Sequence, residues 1–424
     1  MDDNHSSDHS AGSMRPFFII WSGQAISLLG SQLVQFAIIW WLTITTESAT
    51  VLAVASMVGL LPIVFIGPFA GALVDRWRRQ TILLVADSVV ALATALLALL
   101  FVLDVVQIWQ VFALLFVRAT AGAFHWPAMQ ASTTLMVPEE QLTRVGGLNQ
   151  TLNGLVNIVI PPLGALAITV LPITSILAID VATALPAILT LLVIPIPQPE
   201  RQADSQDESG TSVFADMMAG WRYVWDWKGL LLFSSIGTVS NMLGRAAAAL
   251  TPLVVLHHFG GGALGLGWIQ ASVGIGAVLG GVILGFWGGF DRRIVTAMVA
   301  LAVDGIALLV FGLSPATAFW LAVAAIFVSG LSESILVGAN GALFQSIVPP
   351  EMQGRVFSLL ISVSQVATPL GLAIAGPVSD LTSAQSWYVI AGIAMLIMGA
   401  GAFAVPAIMN LEAEGKMPTE TVNG

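Results

Sequence analysis

Long apolar runs dominate this chain, and polar residues are confined to the short intervals between them. Each run is roughly 20–30 residues long, enough for a helix to cross the ~30 Å hydrocarbon layer of a bilayer. Twelve can be drawn: 16–43, 50–74, 81–103, 107–136, 142–170, 172–195, 228–256, 262–288, 294–313, 317–346, 354–379 and 385–409. We number them spans 1 to 12. The stretch 142–195 is divided mainly by Pro172. The first run is too long for a signal-peptide core and follows an acidic tail, so no cleavage is expected there. The pattern predicts an all-α membrane protein.

The runs also repeat. "VPEEQLTRV" (137–145) returns as "VPPEMQGRV" (348–356), with five identities at an offset of 211 in 424 residues. Each copy precedes a polar-flecked run with a proline step, "PPLGALA" from Pro161 and "PLGLAIAG" from Pro369. On span 1, Gln24, Ser31 and Gln35 share a face, with Leu28 between them. On span 7, Ser234, Thr238, Asn241 and Arg245 form the same stripe, offset by 210. A six-helix unit used twice in one orientation accounts for both matches. The expected architecture is therefore twelve transmembrane helices in two pseudo-symmetric six-helix bundles, 15–195 and 228–410. Tails 1–14 and 411–424 flank them. The linker 196–227 is Pro-rich, then acidic, with Ser and Gly. Its far end places Phe214, Met217, Met218, Trp221 and Trp225 at helical spacing, which predicts a short interfacial helix.

Composition narrows the class. Hydrophobic residues make up 57% and charged residues 9%, against about 25% charged in soluble domains. Cys is absent, which removes disulfides, thiolate metal sites and Cys nucleophiles. The net charge of −10 says little about partners, because eleven of the 24 acids sit in the tails and residues 200–216. Lys and Arg favour cytoplasmic loops. With the N-terminus inside, twelve of the 14 fall on the cytoplasmic side and none opposite; Arg118 and Arg245 lie within spans. Both termini are expected in the cytoplasm, in a multi-pass protein of the cell membrane. No phosphate-cradling Gly-rich loop with Lys-Ser/Thr, no His-Glu-x-x-His and no nucleophile elbow is present. No enzyme activity, cofactor, metal or nucleic-acid partner is expected.

"GALVDRWRRQ", between spans 2 and 3, resembles the signature loop of the major facilitator superfamily, Gly-x-Leu-x-Asp-Arg-x-Gly-Arg-Lys/Arg. Gly71, Leu73, Asp75, Arg76 and Arg79 match, while Arg78 and Gln80 depart from it. "RATAGAF" is similar to the superfamily's Arg-x-x-x-Gly motif on the fourth helix, through Arg118 and Gly122. "IPPLGA" keeps only part of its antiporter motif on the fifth. "VDRWRRQTILLVADS", "PPEMQGRVFSL" and "SQVATPLGLAIAGPVSD" resemble the branch that holds macrolide-efflux proteins and related siderophore exporters. The resemblance implies alternating access, a central cavity lined by helices 1, 4, 7 and 10, and a cytoplasmic latch at the signature loop.

Candidate chemistry follows from charges inside spans, each costing roughly 3 kcal/mol to insert unless paired, hydrated or neutralised. They are Asp87, Arg118, Asp180, Arg245, Asp304 and Glu333. The resemblance puts Arg118, Arg245 and Glu333 on cavity helices and Asp87, Asp180 and Asp304 outside. The expected cavity residues are Gln24, Ser31, Gln35, Arg118, His125, Thr238, Asn241, Arg245, Glu333 and Asn340. For the uncharged members the competing use is interhelical hydrogen bonding, worth about 0.6 kcal/mol each. Glu333 is the leading candidate for proton coupling, with Arg118. A carboxylate holds its proton harder in a poorly hydrated cavity and less hard beside an Arg. The alternative for Glu333 is a permanent pair with Arg245, and for His125 a packing role. The expected cytoplasmic gate comprises Gly71, Asp75, Arg76, Arg79, Arg144 and Arg355, with Glu140 and Glu351 placed to pair with the last two or to cap neighbouring backbone. The partners expected are a small-molecule substrate, protons and the lipid bilayer, for a monomer. Export of an amphipathic, macrolide-like compound by proton antiport is the favoured reading. A siderophore or lysophospholipid transporter of the same fold, or an uncoupled lipid-handling protein, is the alternative.

Overall fold

A computed structural model describes residues 14–198 and 213–414. Most of the N-terminal tail, the middle of the linker and the end of the C-terminal tail lie outside the described residues. The helices are α1 (Arg15–Thr46), α2 (Ala49–Arg76), α3 (Arg79–Val102), α4 (Ile108–Met136), α5 (Glu139–Val170), α6 (Ile173–Val193), α7 (Val213–Asp226), α8 (Lys228–Leu253), α9 (Ala263–Trp287), α10 (Arg293–Leu313), α11 (Phe319–Ile347), α12 (Pro350–Leu381) and α13 (Ala384–Gly401). All but α7 are long and apolar enough to cross a membrane, which makes twelve. Among the described residues there is no strand. Spans 1–6 are α1–α6, and spans 7–12 are α8–α13.

Proline sets several boundaries. Pro172 is the N-cap of α6. The last apolar run does not continue as one helix to 409, because Val405 is extended and a 3-10 turn separates it from α13. The ring of Pro406 disfavours helical backbone at the residue before it. Near the end of α8, Pro252 cannot donate to the carbonyl of Ala248. The Thr251 hydroxyl takes that carbonyl instead, at 2.8 Å. The chain then relaxes into a π-turn, Val254–His258.

The repeated loop has the same local backbone in both copies. Val137 ends α4 in an extended conformation (φ −111°, ψ 126°), and Val348 ends α11 likewise (φ −93°, ψ 126°). Each valine N–H still reaches the carbonyl four residues back, at 3.0 Å. A proline follows each valine and imposes this geometry.

The chain forms two compact units. One holds the described residues of Met1–Gln35, Phe65–Val156 and Leu171–Ala203; the other holds Phe36–Val64, Asn157–Val170 and those of Asp204–Gly424. In the first, Ile20, Leu83, Ala128 and Leu191 interleave α1, α3, α4 and α6. In the second, small residues let backbones meet. Gly276 and Gly280 of α9 lie against backbone atoms of Phe327 and Leu331 on α11. The first part of α2 and the last part of α5 belong to this unit for the same reason. A Cβ added at Gly376 of α12 would lie 2.8 Å from the Thr50 Cα, and one at Gly274 would lie 2.9 Å from the Asn157 carbonyl oxygen.

Candidate transport site

Four helices of the first unit converge on one carboxylate. Asp180 of α6 is 1% exposed, and Arg118 of α4 meets its Oδ2 at 2.7 Å. Thr94 of α3 donates to the same oxygen at 2.8 Å, and Ser31 of α1 donates to Oδ1 at 2.9 Å. Arg118 also donates to the Thr94 hydroxyl. A buried charge is tolerated when it is both paired and hydrogen-bonded, and Asp180 meets both conditions.

A second carboxylate is held by α1, α3 and α4. Asp87 accepts from the Gln24 amide at 2.7 Å through Oδ2. Its Oδ1 faces His125 Nε2 at 3.2 Å. That ring nitrogen also lies 3.0 Å from Gln24 Oε1. Gln24 and Ser31, expected on a cavity face, thus bond to Asp87 and Asp180. Gln35, the third member of that stripe, is exposed. Sequence reasoning grouped Arg118 with His125 and Gln24 with Ser31, but set Asp87 and Asp180 aside. The available signal was the third seven-residue pair, Asp87 and Thr94 on α3.

In the second unit the expected residues are less closely joined. Asn241 accepts from Thr368 at 3.3 Å, and Thr238 is half-buried. Ser329 donates to the buried Asp304 at 2.5 Å. Glu333, four residues after Ser329, is exposed and close enough to Asp304 to interact with it electrostatically. Arg245 is exposed and, among the described residues, forms no ion pair with Glu333. The Oδ1 of Asn340 is buried with no protein partner among the described residues.

At the signature loop, Arg79 donates to the Ala131 carbonyl at 3.1 Å, Arg76 is exposed, and open space lies over Gly71. The side chain of Asp75 lies outside what is described. Arg144 is exposed and forms no ion pair with Glu140 among the described residues. Arg355 is half-buried, with Nη1 4.0 Å from Met352 Sδ. Among the described residues, no group of three His, Asp or Glu is placed to hold a metal ion.

One group went unread in the sequence. Asp380, in the last turn of α12, accepts from the N–H of Ala49 at 2.6 Å and of Thr50 at 3.0 Å, and from the Ser48 hydroxyl at 3.1 Å. A carboxylate at a helix C-terminus opposes the helix dipole. That misfit was the legible signal that Asp380 serves another helix.

A family model described as transmembrane secretion effector matches residues 7–423. The chain belongs to this family. It is a multi-pass membrane transporter of the major facilitator superfamily, not an enzyme. Among its relatives, macrolide efflux protein A of Streptococcus pyogenes is 36% identical over 376 residues, covering 89% of this chain and 92% of the relative. The multidrug efflux pump Tap of Mycolicibacterium fortuitum is 26% identical, over 95% of this chain and 98% of its own length. The fold of this chain is shared by the crystal structure of the nucleoside transporter NupG (TM-score 0.67, 14% identity, 92% of this chain and 99% of that one). A bacterial homologue of the iron transporter ferroportin in an inward-facing state matches similarly (TM-score 0.67, 13% identity, 92% and 98%).

Proposed function

We propose that this transporter exports amphipathic, macrolide-like compounds from the cytoplasm in exchange for protons, as a monomer with both termini inside. The observation that carries the reading is the 36% identity to a macrolide efflux protein over nearly its whole length. The distribution of Lys and Arg supports the orientation. Proton exchange is supported by carboxylates in apolar spans that are not all tied to an arginine. Arg118 already compensates Asp180, whereas Glu333 is exposed and not ion-paired with Arg245 among the described residues. Glu333 is therefore proposed to load and release a proton. Gln35, Thr238, Asn241, Arg245 and Asn340 are proposed to contact cargo. Gly71, Asp75, Arg76, Arg79, Arg144 and Arg355 are proposed to form the cytoplasmic gate.

The deciding experiment is proton flux in proteoliposomes of the purified protein. Erythromycin supplied on the cytoplasmic side should drive protons in the opposite direction. Erythromycin movement without proton movement would remove antiport. Failure to move erythromycin, with movement of a siderophore or lysophospholipid, would reassign the cargo.

A further inference from the structure

Two polar layers cross α1, α3 and α4 at matching heights. Gln24, Asp87 and His125 form one; Ser31, Thr94 and Arg118 form the other, seven residues along each helix. Seven residues are about 10 Å of helix. Each layer holds one carboxylate, Asp87 in the first and Asp180, supplied by α6, in the second. Their counter-charges differ in kind. Asp180 faces Arg118, whose guanidinium stays charged at every physiological pH. Asp87 faces His125, and histidine is the side chain that gains and loses charge in that range.

Among the described residues of its unit, His125 is the one ion-pair partner of Asp87. Apart from Asp87 and His125, the ionisable residues of these helices are Arg15 of α1, Asp75 and Arg76 of α2, Arg79 of α3, Arg118 of α4, Glu139, Glu140 and Arg144 of α5, and Asp180 of α6. Arg118 and Asp180 are spent on each other, and the rest stand in the first or last two turns of their helices. With a neutral His125 the layer carries one uncompensated negative charge in an apolar span, which is unfavourable. Adding a proton to the ring makes the layer neutral.

The hydrogen bonds define where that proton goes. His125 Nε2 faces two acceptors, Asp87 Oδ1 and Gln24 Oε1. The neutral ring is therefore held with its hydrogen on Nε2, and an incoming proton binds Nδ1. The His125 side chain is 26% exposed while that of Asp87 is 8% exposed. One turn earlier, Gly122 leaves open space on the same helix. The histidine is thus the more accessible member of the pair, with the carboxylate behind it.

We propose that the Asp87–His125 pair is a second proton-binding site of the transporter, additional to Glu333, with Gln24 tying its charge state to α1. The proposal rests on the antiport reading. Its test uses the full chain. In detergent, nitrogen NMR of the His125 ring, assigned as the signal missing from His125→Asn, is recorded at fixed pH with and without erythromycin. The ring should change protonation state on erythromycin binding in the wild type, and not in Asp87→Asn. In proteoliposomes, Asp87→Asn should lose pH-driven erythromycin accumulation while keeping erythromycin counterflow, and His125→Asn should lose the accumulation as well. Asp87→Glu, which keeps the carboxylate, should restore part of the accumulation. A ring that is indifferent to erythromycin, in a wild type that does exchange protons, overturns the site and leaves antiport standing. A wild type that moves erythromycin without protons overturns both. If Asp87→Asn does not fold, the response of the wild-type ring decides, and His125→Gln replaces His125→Asn for the assignment where the latter does not fold.

Discussion

Asp380 accepts the backbone N–H of Ala49 at 2.6 Å, so the first turn of α2 is capped by a carboxylate from the last turn of α12. The first N–H groups of a helix have no partner within it. Ser48 serves one of them, Val51, at 3.3 Å, and itself donates to Asp380. Glu47, just before, sits at φ 50°, an uncommon conformation for a non-glycine residue. It lets the chain reverse between α1 and α2.

Loss of this cap should loosen α2 from α12. Removing an Asp cap costs about 1 kcal/mol, or about fivefold in an equilibrium. The chain has no Cys, so Ala53→Cys provides a lone thiol at a position 2% exposed. Asp380→Ala should speed its labelling by that factor, with folded yield maintained. Equal labelling rates with and without Asp380 would make the cap a local feature of α2 with no bearing on access.

The Arg118–Asp180 pair allows a sharper test. Breaking a buried pair from one side leaves an uncompensated charge, at about 3–5 kcal/mol. Asp180→Leu should therefore lower the folded fraction strongly, as should Arg118→Met. The double variant should recover much of it, because well-packed apolar replacements of both partners are often neutral or better. Thermal unfolding in detergent is the measurement. A double variant as unstable as the sum of the singles would mean that Arg118 and Asp180 are not coupled.

Helix positions were legible because bilayer thickness and proline decide them. α2 and α10 fall within two residues of the expected apolar runs, and the Val-Pro echo marks the same turn twice. Side-chain partners were not legible in the same way. The argument that in-span charges must be paired applied equally to Asp87, Asp180 and Asp304. Which of them meets Arg118 depends on how α4 and α6 are rotated, and apolar faces of similar composition do not encode that. The stripe of Gln24 and Ser31 was visible, but its direction was not, since a cavity and a buried carboxylate call for the same polar residues. Asp380 needed a reading of helix polarity.

Thr251 connects two groups through one hydroxyl. It replaces the donor that Pro252 lacks, at the Ala248 carbonyl, and lies 2.6 Å from the Tyr388 hydroxyl. Tyr388 is 2% exposed, so its hydroxyl has little access to water. Thr251→Val leaves the Ala248 carbonyl and the buried Tyr388 hydroxyl without this partner, and an unserved buried group costs about 1–3 kcal/mol. Tyr388→Phe removes a partner without stranding the carbonyl. Thr251→Val should therefore lower the unfolding temperature more than Tyr388→Phe does. The reverse order would show that the hydroxyl does not serve the carbonyl.

Glu333, like Asp304, is a carboxylate in an apolar span with no ion pair among the described residues. It is exposed on α11, is not ion-paired with Arg245 among the described residues, and lies near the buried Asp304. Glu333→Gln keeps the shape and removes the exchangeable proton. Erythromycin binding, read by tryptophan fluorescence, should persist, while pH-driven accumulation should fall roughly tenfold or more. Accumulation at the wild-type rate would remove Glu333 from coupling. Combining it with Asp87→Asn then tests whether the two proton sites act in one cycle. Residues that act as a unit are strongly non-additive, so sites that must both load should give a double variant no slower than the slower single. Losses that multiply instead would mean that the two sites work independently.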